Sequence, residues 1–177
     1  EEIILGLKEG NENAFKKVFS EYKTPLFVYL KRMVHDSAKA EDLLQEVFIK
    51  ILINIKKYNH KGRFKQWIFR IAANITLDYL RKTKREKNVI SNQHNICNVT
   101  EIQAQYTTGG EQAERIQNAV KELPEEQRSV FLLRQFSGLS FNEIAQVEKI
   151  PINTALSRMR YALKSIRNYL EVNEKVK

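Results

Sequence analysis

The sequence predicts an all-α protein made of two small helical domains joined by a flexible linker. The 177 residues include only 6 glycines and 3 prolines, and long stretches lack both. Apolar residues recur at helical spacing through residues 1–85 and again through 111–172. Between them, residues 86–110 are rich in Asn, Gln, Thr and Ser and have no lasting period. The predicted domains are therefore 1–85, an N-terminal helical bundle, and 111–177.

Three long helices are predicted in the N-terminal domain, at residues 11–34, 38–56 and 64–85. Asn11 is the expected N-cap of the first helix, and Pro25 is expected to break or kink it. Asp36 or Ser37 caps the second helix. The third helix follows a short loop at 57–63.

Four further helices are predicted in the C-terminal domain, at about 111–122, 124–137, 140–147 and 151–170. Gly138 is a suitable stop for the second of them. Ser140 and Glu143 have the spacing of a capping box, which opens the short third helix. The inward side of the first helix is expected to carry Ile116, Val120 and Leu123.

The composition is that of an ordinary globular protein, with 42% apolar residues. No apolar run approaches the ~20 residues of a membrane span, and the sequence does not start with a basic-then-apolar signal peptide. A single cysteine, Cys97, excludes an intramolecular disulfide and suits a reducing compartment. We therefore expect a cytoplasmic protein without membrane insertion.

The net charge of +9 is concentrated in one segment. Residues 56–85 carry ten basic side chains against one acidic side chain, and the rest of the chain is neutral overall. Positive charge concentrated in this way is typical of a nucleic-acid site. A solvated basic face is the alternative interpretation.

The last helix has two distinct faces. Its apolar residues are spaced by 3 and 4 and are expected to pack inward: Ile152, Leu156, Met159, Leu163, Ile166 and Leu170. The opposite face is polar and carries no acid: Asn153, Thr154, Ser157, Arg158, Arg160, Tyr161, Lys164 and Ser165. With the short capped helix before it, this pattern predicts a helix-turn-helix whose second helix enters the DNA major groove. The alternative is an ordinary amphipathic helix pair.

The third helix carries a narrow polar strip, also at spacings of 3 and 4: Trp67, Arg70, Asn74, Asp78, Arg81 and Arg85. The preceding loop and the start of the helix add Tyr58, Asn59, His60, Lys61, Arg63 and Phe64. Basic groups that follow a phosphate backbone, mixed with rings that stack on bases, are typical of single-strand binding. Plain core packing is the alternative for Trp67.

The second helix combines a core face with an outer face that is both apolar and acidic. The core face holds Ala40, Leu44, Val47, Phe48, Ile51 and Ile55. The outer face holds Asp42, Gln45, Glu46, Ile49, Ile53 and Lys56. Isoleucines framed by acids on an outer face suit a protein partner with a basic surface. The alternative is that another part of the chain covers Ile49 and Ile53.

No catalytic, cofactor or metal site is expected. His35, His60 and His94 are far apart and do not have metal-ligand spacing with Cys97. The glycine-rich patterns that bind phosphates are absent from the sequence. We therefore do not expect an enzyme.

Long segments of both domains resemble bacterial RNA polymerase sigma factors. AEDLLQEVFIKIL (40–52) and FKQWIFRIAANITLDYLRKTKR (64–85) are similar to the second conserved region of that family. LPEEQRSVFLLRQFSGLSFNEIAQVEKIPINTALSRMRYALKSIRNYL (123–170) is similar to the fourth region. Two such motifs with only a linker between them resemble the extracytoplasmic-function group of the sigma-70 family. The resemblance implies a protein that binds core RNA polymerase and directs promoter-specific transcription initiation.

The resemblance also implies a role for each face. The β′ clamp helices of the polymerase would bind Asp42, Gln45, Glu46 and Ile49, with Ile53 beside them. The 57–64 loop and the strip from Trp67 to Arg85 would recognise and open the −10 element. Within the polar face of the last helix, Thr154, Ser157, Arg158 and Arg160 would read the −35 element, flanked by Asn153, Tyr161 and Lys164. Family members are often restrained by an anti-sigma factor, so one is an expected partner.

One residue departs from the family pattern. Members commonly have Lys or Arg where this chain has Leu156. Because Leu156 fits the inward stripe, one DNA contact is expected to be missing and the base preference to differ. Two other functions are open: a stand-alone helix-turn-helix regulator that dimerises through its N-terminal domain, and an RNA- or single-strand-binding protein that uses only residues 56–85.

Overall fold

A computed structural model describes residues 2–59, 62–91 and 111–174, which form helices and turns and contain no strand. The helices are α1 (Glu2–Lys8), α2 (Glu12–Val34), α3 (Ser37–Asn54), α4 (Phe64–Ser91), α5 (Glu111–Lys121), α6 (Glu125–Leu132), α7 (Phe141–Glu148) and α8 (Ile152–Glu174). A 3-10 turn, Ile55–Lys57, follows α3, and a π turn, Leu133–Ser137, continues α6. The predicted all-α fold is confirmed, and α1 is an addition to it.

The predicted helix caps are present. The side chain of Asn11 accepts hydrogen bonds from the backbone N–H groups two and three residues on, at 2.8 and 3.2 Å. Asp36, rather than Ser37, caps α3 by accepting from a backbone N–H at 3.0 Å. At the start of α7, Ser140 donates its backbone N–H to Glu143 at 2.8 Å, and the Glu143 N–H donates back to the Ser140 hydroxyl at 3.3 Å. These side chains fix where α2, α3 and α7 begin.

α2, α3 and α4 form the N-terminal bundle. The helix α2 runs through Pro25 without interruption, so the predicted break is wrong. Downstream of the proline, Leu26, Tyr29, Leu30 and Met33 are all fully buried. Their burial outweighs the loss of the one backbone hydrogen bond that a proline cannot donate.

The helix α4 extends to Ser91, six residues beyond its predicted end. Lys82 and Glu86 form an ion pair of 3.9 Å on consecutive turns, which favours continuation of the helix. The first part of the predicted linker, 86–91, is therefore helical. The rest of it, including Cys97, lies outside the described residues.

α5 to α8 form the C-terminal bundle. Gly138 ends the π turn with a φ of 66°, a left-handed conformation that suits glycine, and this confirms the predicted stop. On α5, Val120 and Leu123 are each 2% exposed. Ile116 is 39% exposed, so its predicted inward position is wrong. The neighbouring small residue Ala119, 2% exposed, enters the core instead.

The buried face of α8 also differs from the prediction. Ala155 and Ala162 are fully buried, and Ile166 is 8% exposed. Three residues that were predicted to pack inward are exposed: Ile152 by 39%, Leu156 by 43% and Leu163 by 48%. Ala155 and Ala162 are separated by seven positions, the same helical spacing as Leu156 and Leu163, so either pair could form the inward stripe.

The two bundles pack directly against each other. α2 lies against α6 and the π turn, and α4 lies against α7. Inside this contact the hydroxyl groups of Tyr29 and Ser129 are 3.1 Å apart, and both residues are fully buried. Gln66 Nε2 donates to Gln146 Oε1 at 2.7 Å. The buried residues of both bundles therefore form one hydrophobic cluster.

Candidate nucleic-acid interface

The outer face of α8 presents polar and basic side chains. Its exposed members are Asn153, Arg160, Tyr161 and Lys164, and Thr154 and Ser157 are half-buried. The Ser157 hydroxyl donates to the Asn153 carbonyl at 2.7 Å, so its oxygen is left as an acceptor. Residues 151–170 contain no acid. The face is suited to a polyanion.

Arg158 is held against the C-terminal bundle. Its side chain is 20% exposed, and its guanidinium lies 2.7 Å from Glu126 and 4.0 Å from Glu148. Glu148 also accepts a hydrogen bond from the Ser129 hydroxyl at 2.6 Å, and Ser129 in turn contacts Tyr29 of the N-terminal bundle. Burial raises the pKa of Glu148, although the contacts with Ser129 and Arg158 act in the opposite direction. The Arg158 guanidinium is therefore engaged by two carboxylates of the C-terminal bundle.

The polar strip of α4 lies on the surface. Its exposed members are Arg70, Asn74, Asp78, Arg81 and Arg85, and Asn59 and Arg63 before it are exposed as well. Asp78 and Arg81 form a long ion pair of 3.5 Å. His60 and Lys61 lie outside the described residues. The strip spans about five helical turns and is basic overall.

Three aromatic residues meet where the strip begins. The Trp67 ring lies 4.9 Å from the Tyr58 ring and is stacked at 5.7 Å on the Phe64 ring. Tyr58 is only 4% exposed, and its burial raises the pKa of its hydroxyl. It does not present a ring to solvent, which corrects its predicted place on the base-stacking surface. Tyr58 instead supports Trp67, which is half-buried.

The outer face of α3 is exposed. Its members are Asp42, Gln45, Glu46, Ile49 and Ile53, and Lys56 in the 3-10 turn that follows is exposed as well. Ile49 is 55% exposed and Ile53 is 67% exposed, so the described residues do not cover them. Leu52, 44% exposed, enlarges this apolar patch and was missed from the sequence, although it stands three residues after Ile49.

Arg128 joins the two bundles and was also missed. One guanidinium nitrogen donates to the Met33 carbonyl at 3.0 Å and lies 2.7 Å from His35 Nε2, both in the N-terminal bundle. The other donates to the carbonyls of Lys121 at 3.1 Å and Leu123 at 2.8 Å. Arg128 is 8% exposed. No sequence signal marks an arginine whose partners are backbone carbonyls.

His35 makes the stability of this contact depend on pH. Burial, together with the cations Arg128 and Lys121, lowers the pKa of His35 from 6.5 to about 4. In the unfolded chain the pKa of His35 returns to its ordinary value of 6.5. Between pH 4 and 6.5 the unfolded chain therefore binds more protons than the folded chain. The contribution to stability is present above pH 6.5 and is lost as the pH falls toward 4.

We expect the free energy of unfolding in urea to fall as the pH is lowered from 6.5 to 4. The variant His35→Gln, which keeps an acceptor but does not titrate, should flatten the decrease; an unchanged slope would contradict the assignment.

The described ranges hold neither a cluster of metal ligands nor a membrane-spanning helix. Within those ranges, no three His, Cys, Asp or Glu side chains are placed together as metal ligands. No helix among the same residues is long and apolar enough to cross a bilayer. The exposed polar and apolar faces described above lie on three helices, α3, α4 and α8.

Both bundles match regions of one protein family. Residues 18–86 match Sigma-70 region 2, and residues 113–166 match Sigma-70 region 4. The two matches occur in the predicted order and together span more than two thirds of the chain. The chain belongs to the sigma-70 family. It is a sigma factor, and the polar strip and the exposed face of α3 lie within its region 2, whereas the outer face of α8 lies mainly within its region 4.

Full-length relatives refine this membership. The ECF RNA polymerase sigma factor SigW of Bacillus subtilis strain 168 is 28% identical, with 94% of each chain covered. The sigma-H factor of Pseudomonas aeruginosa is 26% identical, covering 97% of this chain and 93% of that one. The sigma factor RpoE of Bartonella quintana, solved with the anti-sigma factor NepR, has a TM-score of 0.74 at 26% identity, covering 89% of this chain and 97% of that one. The predicted extracytoplasmic-function (ECF) group is confirmed.

Proposed function

We propose that this sigma factor docks on core RNA polymerase through the outer face of α3 and directs initiation at promoters with two elements. The helix α8 reads the −35 element in duplex DNA, and α4 captures unstacked bases of the −10 element. The polymerase carries out the chemistry, and the sigma factor needs no cofactor. The match of both bundles to sigma regions 2 and 4, in that order, is the observation that supports this proposal best.

The docking face fits a partner helix that is both apolar and basic. Ile49, Leu52 and Ile53 form an exposed apolar patch, and Asp42 and Glu46 border it. The apolar side chains supply the area that drives association, and the acids select a basic surface. We assign this face to the β′ clamp helices.

The DNA contacts divide between the two bundles. Basic side chains of the α4 strip follow the phosphates. Unstacking a base costs a few kcal/mol, and stacking of that base on an aromatic ring offsets this cost.

The distance between the two promoter elements exceeds the length of any described helix. Elements at −10 and −35 are about 25 base pairs apart, which is ~85 Å at 3.4 Å per base pair. The longest helix among the described residues, α4, has 28 residues and is ~42 Å long. No described helix spans the distance between the elements, and we infer that the packed bundles separate to reach both of them.

An anti-sigma factor is the second protein partner that we propose. RpoE, which is 26% identical to this chain, was solved in complex with the anti-sigma factor NepR. Such a partner would restrain the sigma factor by covering α3 or by keeping the bundles together. Co-purification with core polymerase that decreases as a candidate anti-sigma factor is added would support this role, and simultaneous binding of both would contradict it.

A stand-alone helix-turn-helix regulator is the competing function. It would bind a two-fold symmetric duplex tightly without polymerase, and it would leave the exposed face of α3 without a partner. A pull-down with purified core polymerase separates the two functions. We expect the chain to be retained by core enzyme, whereas tight symmetric duplex binding without retention would favour the regulator.

Arg158→Ala is expected to weaken −35 binding by ~1–3 kcal/mol and to relax the base preference at one position. Competition between duplexes that differ by single bases, with the holoenzyme as binder, measures both effects. Glu126→Ala is the matched control, because it removes the carboxylate that pairs with Arg158 at 2.7 Å and keeps the guanidinium. Equal weakening on every sequence would make Arg158 a phosphate contact instead.

Trp67→Ala is expected to impair opening of the −10 element more than duplex binding, by ~1–3 kcal/mol for one lost stack. Permanganate footprinting of unpaired thymines measures the opening. Trp67→Phe keeps a ring against Tyr58 and Phe64 and should lose less. Unfolding temperatures of both variants separate lost packing from lost base capture. A footprint of normal strength in Trp67→Ala would refute the assigned role.

A further inference from the structure

The recognition helix exposes aliphatic side chains beside its polar face. Ile152, Leu156 and Leu163 are 39%, 43% and 48% exposed, while Ala155 and Ala162 take the buried positions. The three exposed residues are separated by four and seven positions, so they form one stripe. Nothing in the described residues covers this stripe. An exposed aliphatic stripe of this kind indicates a site where the protein contacts a binding partner.

The charges around the stripe indicate a nucleic-acid partner. Leu156 lies about 40° around the helix axis from Arg160 and about 60° from Asn153, both of them exposed. Lys164 lies one helical turn beyond Arg160 on the same side of α8, and no acid occurs within residues 151–170. A polyanion complements this side of α8. Leu156 also stands in the N-terminal half of the helix, the part of a helix-turn-helix that lies over base edges.

Among the base edges of the major groove, the feature that attracts an aliphatic group is the C5-methyl group of thymine. Cytosine, adenine and guanine present polar donors and acceptors there, and these would be desolvated against a leucine without a hydrogen bond in return. We propose that Leu156 is a specificity residue that selects thymine in the −35 element by packing on its methyl group, with Ile152 beside it. This inference rests on the proposed reading of −35 by α8.

Leu156 and Leu163 belong to the same stripe but differ in their position along the helix. Leu163 lies about 10 Å further along the helix axis, two turns beyond Leu156 and toward the C-terminal half. It has the same side chain, nearly the same exposure and the same face, but it stands beyond the part that reads bases. Leu163 is therefore the matched control for the proposed contact.

The test compares thymine with deoxyuridine, which lacks only the methyl group. Holoenzyme made from core polymerase and the full chain selects −35 duplexes from a randomised library, and each selected thymine is then replaced singly by deoxyuridine. We expect wild-type holoenzyme to bind about fourfold more weakly at one or two of these positions, as for the loss of one buried methyl group. Leu156→Ala should bind the thymine and deoxyuridine duplexes equally, and Leu163→Ala should keep the penalty.

Several results would overturn the assignment. Selected sites without thymine, or wild-type holoenzyme that shows no deoxyuridine penalty at any position, would contradict it. A penalty that survives in Leu156→Ala would assign the methyl contact to another residue. Sedimentation that shifts from dimer to monomer in Leu156→Ala would make the stripe a contact between copies. A holoenzyme that selects no −35 sequence at all would instead contradict the proposed function.

Discussion

Replacing Ile49 by aspartate is expected to abolish binding to core polymerase while leaving the fold intact. Ile49 is 55% exposed, so the free chain tolerates the charge in water. In a complex, the unpaired carboxylate would be buried against the partner, at a cost of several kcal/mol. That corresponds to an affinity loss of more than about 100-fold. Co-purification with core polymerase and a binding titration measure the loss.

A second exposed aliphatic residue provides the control for this experiment. Val172 near the end of α8 is 64% exposed and lies outside the α3 face. Val172→Asp should therefore bind core polymerase normally. Charge reversal by Glu46→Lys should weaken binding as well, because Glu46 supplies part of the acidic border. Retention of Ile49→Asp at wild-type affinity would refute α3 as the docking face.

Arg128→Ala is expected to cause a large loss of stability. The substitution leaves the carbonyls of Met33, Lys121 and Leu123 without their guanidinium donors inside the contact between the bundles. Losing a buried charged donor with several acceptors costs ~3–5 kcal/mol. At roughly 2–4 °C per kcal/mol for a chain of this size, the unfolding temperature should fall by about 6–20 °C.

Arg134 offers a matched substitution in the same bundle. One of its guanidinium nitrogens donates to the Leu139 carbonyl at 2.7 Å, within the C-terminal bundle. Arg134→Ala should lower the unfolding temperature by much less than Arg128→Ala. Similar decreases in the two variants would contradict the role of Arg128 in joining the bundles.

The helix starts and the exposed faces of α3 and α4 could be predicted from the sequence because they depend on local chemistry. Asn11, Asp36 and Ser140 cap helices through backbone groups two or three residues away. The faces of α3 differ so clearly in polarity that helical spacing alone orients them. Where one side of a helix is plainly apolar, the period is sufficient.

The orientation of α8 could not be predicted because two stripes share its period. A stripe of larger side chains through Leu156 and Leu163 competes with one through Ala155 and Ala162. The choice is made by the neighbouring helices α5, α6 and α7, which pack against α8 and leave the alanines, not the leucines, fully buried. The contact of Arg128 with the Met33 carbonyl and the contact of Tyr29 with Ser129 also depend on tertiary packing, since they join residues about a hundred positions apart. The local periodicity of apolar residues does not contain information about such distant contacts.

Run-off transcription with purified core polymerase tests most directly whether this chain directs initiation at promoters with −35 and −10 elements. Templates carry selected −35 and −10 elements, and a matched template has both elements scrambled. We expect a discrete transcript from the first template when the full chain is added, and none from the second or with Ile49→Asp. Equal transcription from both templates, or no dependence on the chain, would contradict it.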